Sequence, residues 1–219
     1  MKAPESSLVG KGVYTFGDAA RYTRLRRPRI REWFRIRGDD ALFRSAFDGL
    51  TEETLVSFED LIEVFIAGQL RDHGVPLQTI RRVHRALREK WGDPRPFCRP
   101  ELRSSGKKVF YVGLDEHGRE QIHDVLTGQN VFPDVISPFL RRLDYDRRSV
   151  SRWRIASGVE IDPGFSFGKP VASISKVPTY LLSSSFLANG KQLDAVARWY
   201  GVTTDDVKAA VDFESSLAA

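Results

Sequence analysis

Between Arg21 and Arg37 the chain carries eight arginines (Arg21, Arg24, Arg26, Arg27, Arg29, Arg31, Arg35 and Arg37) and one acid, Glu32. Like charge at that density folds only where each guanidinium reaches water or an anion. The apolar spacing shows how this segment meets that condition. Phe16, Ala19, Ala20 and Tyr22 suit a short helix, with Thr15 as N-cap and Asp18 completing a capping box. Pro28 suits the first turn of a second helix. On that helix Ile30, Trp33 and Phe34 share one face at about 100° per residue, while Arg31, Glu32 and Arg35 take the other and Arg29 its flank. Leu25 plugs the tight turn between them. The prediction is a helix-turn-helix with an apolar back and a basic front.

Arg26 and Arg27 stand where Ser, Thr, Asp or Asn would ordinarily cap the second helix. Uncapped amides and adjacent guanidinium groups together suit an anion, and a DNA phosphate satisfies both. A solvated basic helix capped by water is the simpler alternative. Eight arginines against one acid favour nucleic acid. The expected DNA-contacting residues are Arg24, Arg26, Arg27, Arg29, Arg31 and Arg35. The whole chain carries only +5, so the placement of charge matters more than its total. Over 158–219, five basic residues face seven acids, which leaves that stretch better suited to protein than to a polyanion.

The remaining sequence reads as a mainly α chain with small β elements. Ser57 and Asp60 open a helix with Leu61, Ile62, Phe65, Ile66 and Leu70 as its stripe. A second helix carries Ile80, Val83, Leu87 and Trp91, with Arg81, Arg82, Arg85 and Arg88 opposite. His84, beside the stripe, reads as packing rather than as a ligand. This pair is the expected seam of a homodimer. "DPRPFCRPELRSSG" is a Pro-rich connection. "KKVFYVGLDEHGREQIHDVL" is a hairpin turning at Glu116-His117-Gly118, "VFPDVISPFLRRLDYD" a short helix, and "SVSRWRI" an extended segment. His117, His123 and Asp124 match no standard metal spacing, and no nucleophile, zinc or phosphate-loop motif is present. The expectation is a protein with no catalytic activity, metal or cofactor. No apolar run approaches a membrane span, "MKAPESSLVG" lacks the apolar core of a signal peptide, and the single cysteine, Cys98, suits a reducing cytoplasm.

The last sixty residues are punctuated clearly. Pro178 opens a helix carrying Tyr180, Leu181, Leu182, Phe186 and Leu187, closed by Asn189-Gly190. Leu193, Val196, Ala197 and Tyr200 form the next helix, stopped by Gly201. Thr203 and Asp206 start the third. The result is a three-helix, helix-turn-helix-like bundle.

Two resemblances attach to these segments. "YTFGDAARYTRLRRPRIREWF" resembles the winged helix-turn-helix of the MerR superfamily. Arg24 stands where that pattern has Gly, and Arg26 where it has Ser. The resemblance implies wing strands at "ALFRS" and "TLVSF", joined by "AFDGLTEE". The C-terminal segment resembles a small bacterial domain linked to toxin–antitoxin operons. It matches at Ile161-Asp162-Pro163, Gly168-Lys169-Pro170, Val177-Pro178-Thr179, Tyr200-Gly201 and Asp206-Val207 with Ala209-Ala210. Ile174-Ser175-Lys176 stands where that family has Gly-Thr-Arg. Together the halves look like a VapB-type antitoxin. That resemblance implies a PIN-domain ribonuclease toxin as partner, with Ser175, Lys176 and Pro178 in its contact loop. It also implies operator DNA as second ligand, autorepression of the operon, and a cytoplasmic, nucleoid-associated protein. The domain division expected is 1–95 for DNA binding, 96–157 for a connecting region and 158–219 for the antitoxin-type domain. The alternative is a stand-alone MerR-like transcriptional regulator without a toxin. The neighbouring gene distinguishes the two.

Overall fold

Asp60 and Glu63 are carboxylates on a helix with almost no outer face. The computed structural model that reveals this describes residues 10–35, 41–48, 55–104, 110–114, 120–124, 138–146 and 148–218. The chain divides into two compact units. One is Tyr14–Val150; the other is Ser151–Ala219 with the N-terminal segment ending at Val13. The described chain is mainly helical with small antiparallel β elements, as the sequence predicts.

In the first unit, α1 (Phe16–Thr23) and α2 (Arg27–Phe34) form where the wheel places them. The capping box of Thr15 and Asp18 is present. The apolar backs interlock through aromatic rings, with Phe16 and Phe34 centroids 5.4 Å apart and both Trp33 and Phe34 meeting Phe43. The helix pair rests on α3 (Phe58–Asp72), opened by a second capping box at Ser57 and Asp60. Helix α3 is buried on nearly every side, which marks it as the axis of this unit's core. Its two buried carboxylates are accordingly satisfied. Asp60 accepts from the amides of Ser57 and Ala46, each at 2.9 Å, and from Arg95 Nε at 2.7 Å. Glu63 accepts from the Phe97 amide and meets His84 Nε2, each at 2.8 Å. Burial pushes the Glu63 carboxyl above its ordinary range, and the adjacent His84 pulls in the opposite direction. His84 sits edge-on between Phe43 and Phe97. It is a hydrogen-bonded core residue of α4 (Leu77–Trp91).

Three expectations change here. The "ALFRS" and "TLVSF" segments do not form wing strands among the described residues. Leu42, Phe43 and Phe47 are spent on the core, Phe43 N donates to Trp33 O, and Val56 bridges back to Tyr14. The joining residues 49–53 lie outside the described residues. The dimer seam expected over Leu61–Leu70 and Ile80–Trp91 is occupied by the chain's own core, because Leu61, Ile62, Ile66, Leu70 and Ile80 are fully buried within one copy. The helix expected over 131–146 reduces, in its described part, to a single turn at 138–140 followed by β3 (Leu143–Tyr145). Phe139 in that turn packs edge-on against Phe65 of α3 and His73 just past its end.

The Pro-rich stretch after α4 packs into the core. A 3-10 turn, Pro96–Cys98, inserts Phe97, and Cys98 Sγ donates to Glu59 O at 3.2 Å. Helix α5 (Pro100–Ser104) follows. The hairpin expected next is present as β1 (Phe110–Leu114) and β2 (Glu120–Asp124), antiparallel with Phe110 opposite Asp124 and Leu114 opposite Glu120. Its turn residues lie outside the described residues.

The second unit sets an antiparallel sheet of β4 (Val150–Ala156), β5 (Val159–Ile161) and β6 (Val171–Ala172) beside three helices. These are α6 (Thr179–Ala188), α7 (Leu193–Tyr200) and α8 (Thr204–Ala218). Gly201 ends α7 in the left-handed region, and Thr203 caps α8 by accepting from Asp206 N at 3.1 Å. Ala172, Leu182, Val196, Val207 and Ala210 form the core. The β4–β5 turn needs glycine twice over. Gly158 has φ +70°, and a Cβ there would lie 2.8 Å from Ala209 Cβ. Gly158→Ala is therefore expected to destabilise the unit by about 2–3 kcal/mol, combining a left-handed alanine with overpacking against α8. Denaturation followed by tryptophan fluorescence checks this. In a double-mutant cycle, Ala209→Gly should recover about 1 kcal/mol of the loss.

Candidate functional site

Two surfaces stand out, one in each unit. The first is the front of α1 and α2. Leu25 is driven between the helices and onto α3, where Gly68 leaves room: a Cβ on Gly68 would come within 2.7 Å of a Leu25 methyl. This wedge fixes the turn. Arg24 closes α1 in the left-handed region at φ 59°, the conformation that Gly adopts without penalty. The six arginines expected to meet DNA, Arg24, Arg26, Arg27, Arg29, Arg31 and Arg35, are all exposed, while Ile30, Trp33 and Phe34 are buried behind them. Arg29 Nη1 reaches Asp72 Oδ1 at 3.4 Å, with both groups open to water, so this pair contributes little. Among the described residues, Arg26, Arg27, Arg31 and Arg35 form no ion pair. Arg26 is the N-cap of α2 and supplies no side-chain acceptor to its amides. The arrangement offers exposed guanidinium donors around a helix start, which is chemistry suited to an anion such as phosphate. Arg37 lies outside the described residues.

The second surface gathers around the two connections that flank β6, from β5 to β6 and from β6 to α6. The expected partner-binding residues Ser175, Lys176 and Pro178 shape the second of these from within. Lys176 adopts φ 59° and pairs with Glu160, a buried carboxylate that Arg152 Nη1 also approaches at 3.4 Å. Ser175 Oγ is shielded from solvent without a hydrogen-bond partner. Pro178 is the N-cap of α6, and its carbonyl accepts from Leu181 N at 3.1 Å. The residues that reach outward are their neighbours. Phe165, Phe167, Ile174 and Tyr180 are exposed, Phe167 to 70% and Ile174 to 75%. Lys176 Nζ lies 5.7 Å from the Phe165 ring centroid, and Lys169 Nζ lies 5.2 Å from that of Tyr180. Ser166, Phe167 and Gly168 all have positive φ. Two consecutive non-glycine residues are thus held in a costly conformation that presents an aromatic ring to water. Sequence reasoning passed over Phe165 and Phe167, and it read Tyr180 only as an apolar residue of its helix and Ile174 only as a departure from a motif. The available signal was "PGFSFGKP", in which two phenylalanines sit between turn-forming residues with no periodic partner.

Among the described residues, no group of three or more His, Cys, Asp or Glu side chains is placed to hold a metal. No helix among them is long and apolar enough to cross a membrane.

Comparison with known proteins adds three findings. Residues 159–213 match a family described as "Protein of unknown function (DUF433)". The chain is 27% identical over 168 residues to "Putative antitoxin VapB45" of Mycobacterium tuberculosis (strain ATCC 25618 / H37Rv), covering 71% of this chain and 70% of that protein. Its fold is similar to the crystal structure of Rv2018 from Mycobacterium tuberculosis, with a TM-score of 0.67 and 19% identity over 90% of this chain and 96% of that one.

The turn geometry gives a stability test that is independent of function. Arg24→Gly should stabilise the first unit by about 0.5–1 kcal/mol, the left-handed penalty less the larger chain entropy of glycine. Urea denaturation reads the sign. A lower midpoint would mean that the side-chain interactions of Arg24 outweigh its backbone strain.

Proposed function

We propose that this protein is the antitoxin of a type II toxin–antitoxin pair. It uses α1 and α2 to bind operator DNA and repress its own operon, and the loop surface of the second unit to bind and neutralise a PIN-domain ribonuclease. The observation that carries this reading is the segregation of surface chemistry. The large hydrophobic side chains exposed among the described residues (Phe165, Phe167, Ile174, Tyr180, Leu187 and Trp199) all belong to the second unit. The six exposed arginines of the α1–α2 front all belong to the first. A basic face suits a polyanion, and exposed aromatics beside a near-neutral background suit a protein partner. The similarity to VapB45 extends over 168 residues, well beyond the 159–213 segment alone, and supports one role that joins both halves.

Two copies act together on a palindromic operator, since a single helix-turn-helix covers too little DNA for tight specific binding. The contact between copies uses a surface other than the α3–α4 core. On this surface of the second unit, Phe167, Ile174 and Tyr180 supply the contact area, while Ser175, Lys176 and Pro178 hold the shape of the loop before α6.

Arg31→Ala should weaken binding to DNA from upstream of the operon by about 1–3 kcal/mol if the residue reads a base edge, with little change in melting temperature. If the dimer neutralises about eight phosphates, log affinity should fall against log salt with a slope of roughly −7. Phe167→Ser should leave that DNA titration unchanged and lose co-purification with the product of the neighbouring gene. Retention of the nuclease by Phe167→Ser would move the protein-binding surface elsewhere. A wild-type chain that binds DNA and captures no neighbouring gene product would instead fit a stand-alone regulator.

A further inference from the structure

The long helix α3 supports more than the α1–α2 pair. Three positions on it, Phe65, Gly68 and Asp72, are spaced to share one helical face. Leu25 seats on Gly68, Arg29 reaches Asp72, and Phe139 packs on Phe65 with a ring separation of 5.9 Å. His73, next to Asp72, also meets Phe139, at 5.7 Å. The turn at 138–142 is therefore laid alongside the α1–α2 turn on a common base. Leu140 and Leu143 are buried and anchor it, and the Arg142 amide donates to Phe139 O at 3.0 Å. Arg141 is exposed and Arg142 half-buried. Both lie more than a hundred residues from Arg24 in sequence. Burial, followed by the charge of Arg24, lowers the pKa of Arg142, so the two guanidinium groups share one electrostatic neighbourhood. Arg24, Arg141 and Arg142 each make further intramolecular interactions.

We propose that Arg141 and Arg142 form a second, discontinuous strip of the DNA-binding surface and contact backbone phosphate beside the turn that displays Arg24 and Arg26. The inference rests on the DNA-binding reading above and extends it to residues outside the helix-turn-helix. Phosphate is the ligand that the chemistry selects, because a half-buried guanidinium next to a second one gains most from an anion with several acceptor oxygens. Phosphate binding of this kind positions the protein and carries no sequence information. It should therefore act equally on every duplex, unlike a residue of α2 that reads bases.

The test uses full-length protein and two labelled duplexes of equal length, one from upstream of the operon and one of random sequence, titrated by fluorescence anisotropy across a salt series. Arg141→Ala and Arg142→Gln should each weaken binding to both duplexes by about tenfold and make the salt slope shallower by about one unit for each phosphate no longer neutralised. The ratio of the two affinities should stay at its wild-type value. Arg31→Ala, run alongside, should lower that ratio. Arg141 is exposed, so its variant decides the matter even if Arg142→Gln melts early. Wild-type affinity and slope in Arg141→Ala, with Arg31→Ala impaired, would overturn the second strip and leave the DNA-binding reading intact. A wild-type chain that binds neither duplex would overturn both.

Discussion

Asp60 and Glu63 lie three residues apart on a helix enclosed on nearly every side, where a carboxylate survives only if its oxygens are supplied with donors. That requirement organises the first unit. Asp60 draws in the Ala46 amide, the helix start at Ser57 and the guanidinium of Arg95. Glu63 draws in His84 from α4 and the Phe97 amide from the turn beyond it. Segments with weak structural preference of their own are thereby pinned to α3. Removing either acid would release several connections at once, and an apolar replacement would strand the donors that now face it.

With the core tied from within, the front of α1 and α2 is released from structural duty. Its apolar residues face α3 and the aromatic cluster around Phe43, and among the described residues Arg26, Arg27, Arg31 and Arg35 form no ion pair. The second unit solves a different problem. Its helices close a small core around Leu182, Val196 and Val207, and Lys176 and Arg152 keep Glu160 from being an unpaired buried charge. Its exposed large hydrophobic side chains, among the described residues, are Phe165, Phe167, Ile174, Tyr180, Leu187 and Trp199. The division between units is thus a division of surface chemistry as much as of chain.

Local signals were legible in the sequence wherever one turn contained both halves of an interaction. Thr15 with Asp18, Ser57 with Asp60, and Thr203 with Asp206 all read correctly as helix starts, because cap and partner are three residues apart. The buried back of α2 followed from its spacing. Long-range substitutions were not legible. "ALFRS" resembles an edge strand, yet Leu42 and Phe43 fill the core, Phe43 N donates to Trp33 O and the Ser45 hydroxyl to Leu55 O. The apolar stripes of α3 and α4 fit a partner subunit equally well until Phe43 and Phe97 are seen to pack against His84 of α4. The loop at 174–178 was recognisable from its motif. Its outward and inward residues could not be distinguished without knowing that Lys176 turns back to Glu160, sixteen residues away.

Cys98 carries the sole thiol of the chain and is almost completely enclosed, with its sulfur donating to the Glu59 carbonyl. Burial, reinforced by the negative charges of Glu63 and Glu59, pushes its pKa well above the ordinary thiol value. The thiolate that alkylating reagents need is thus suppressed while the surrounding packing stands. Modification must then wait for the chain to open around Phe97 and α3. A maleimide or disulfide reagent consequently times the breathing of the arginine-bearing unit in the native sequence, without an engineered label, and responds to ligands that slow that breathing.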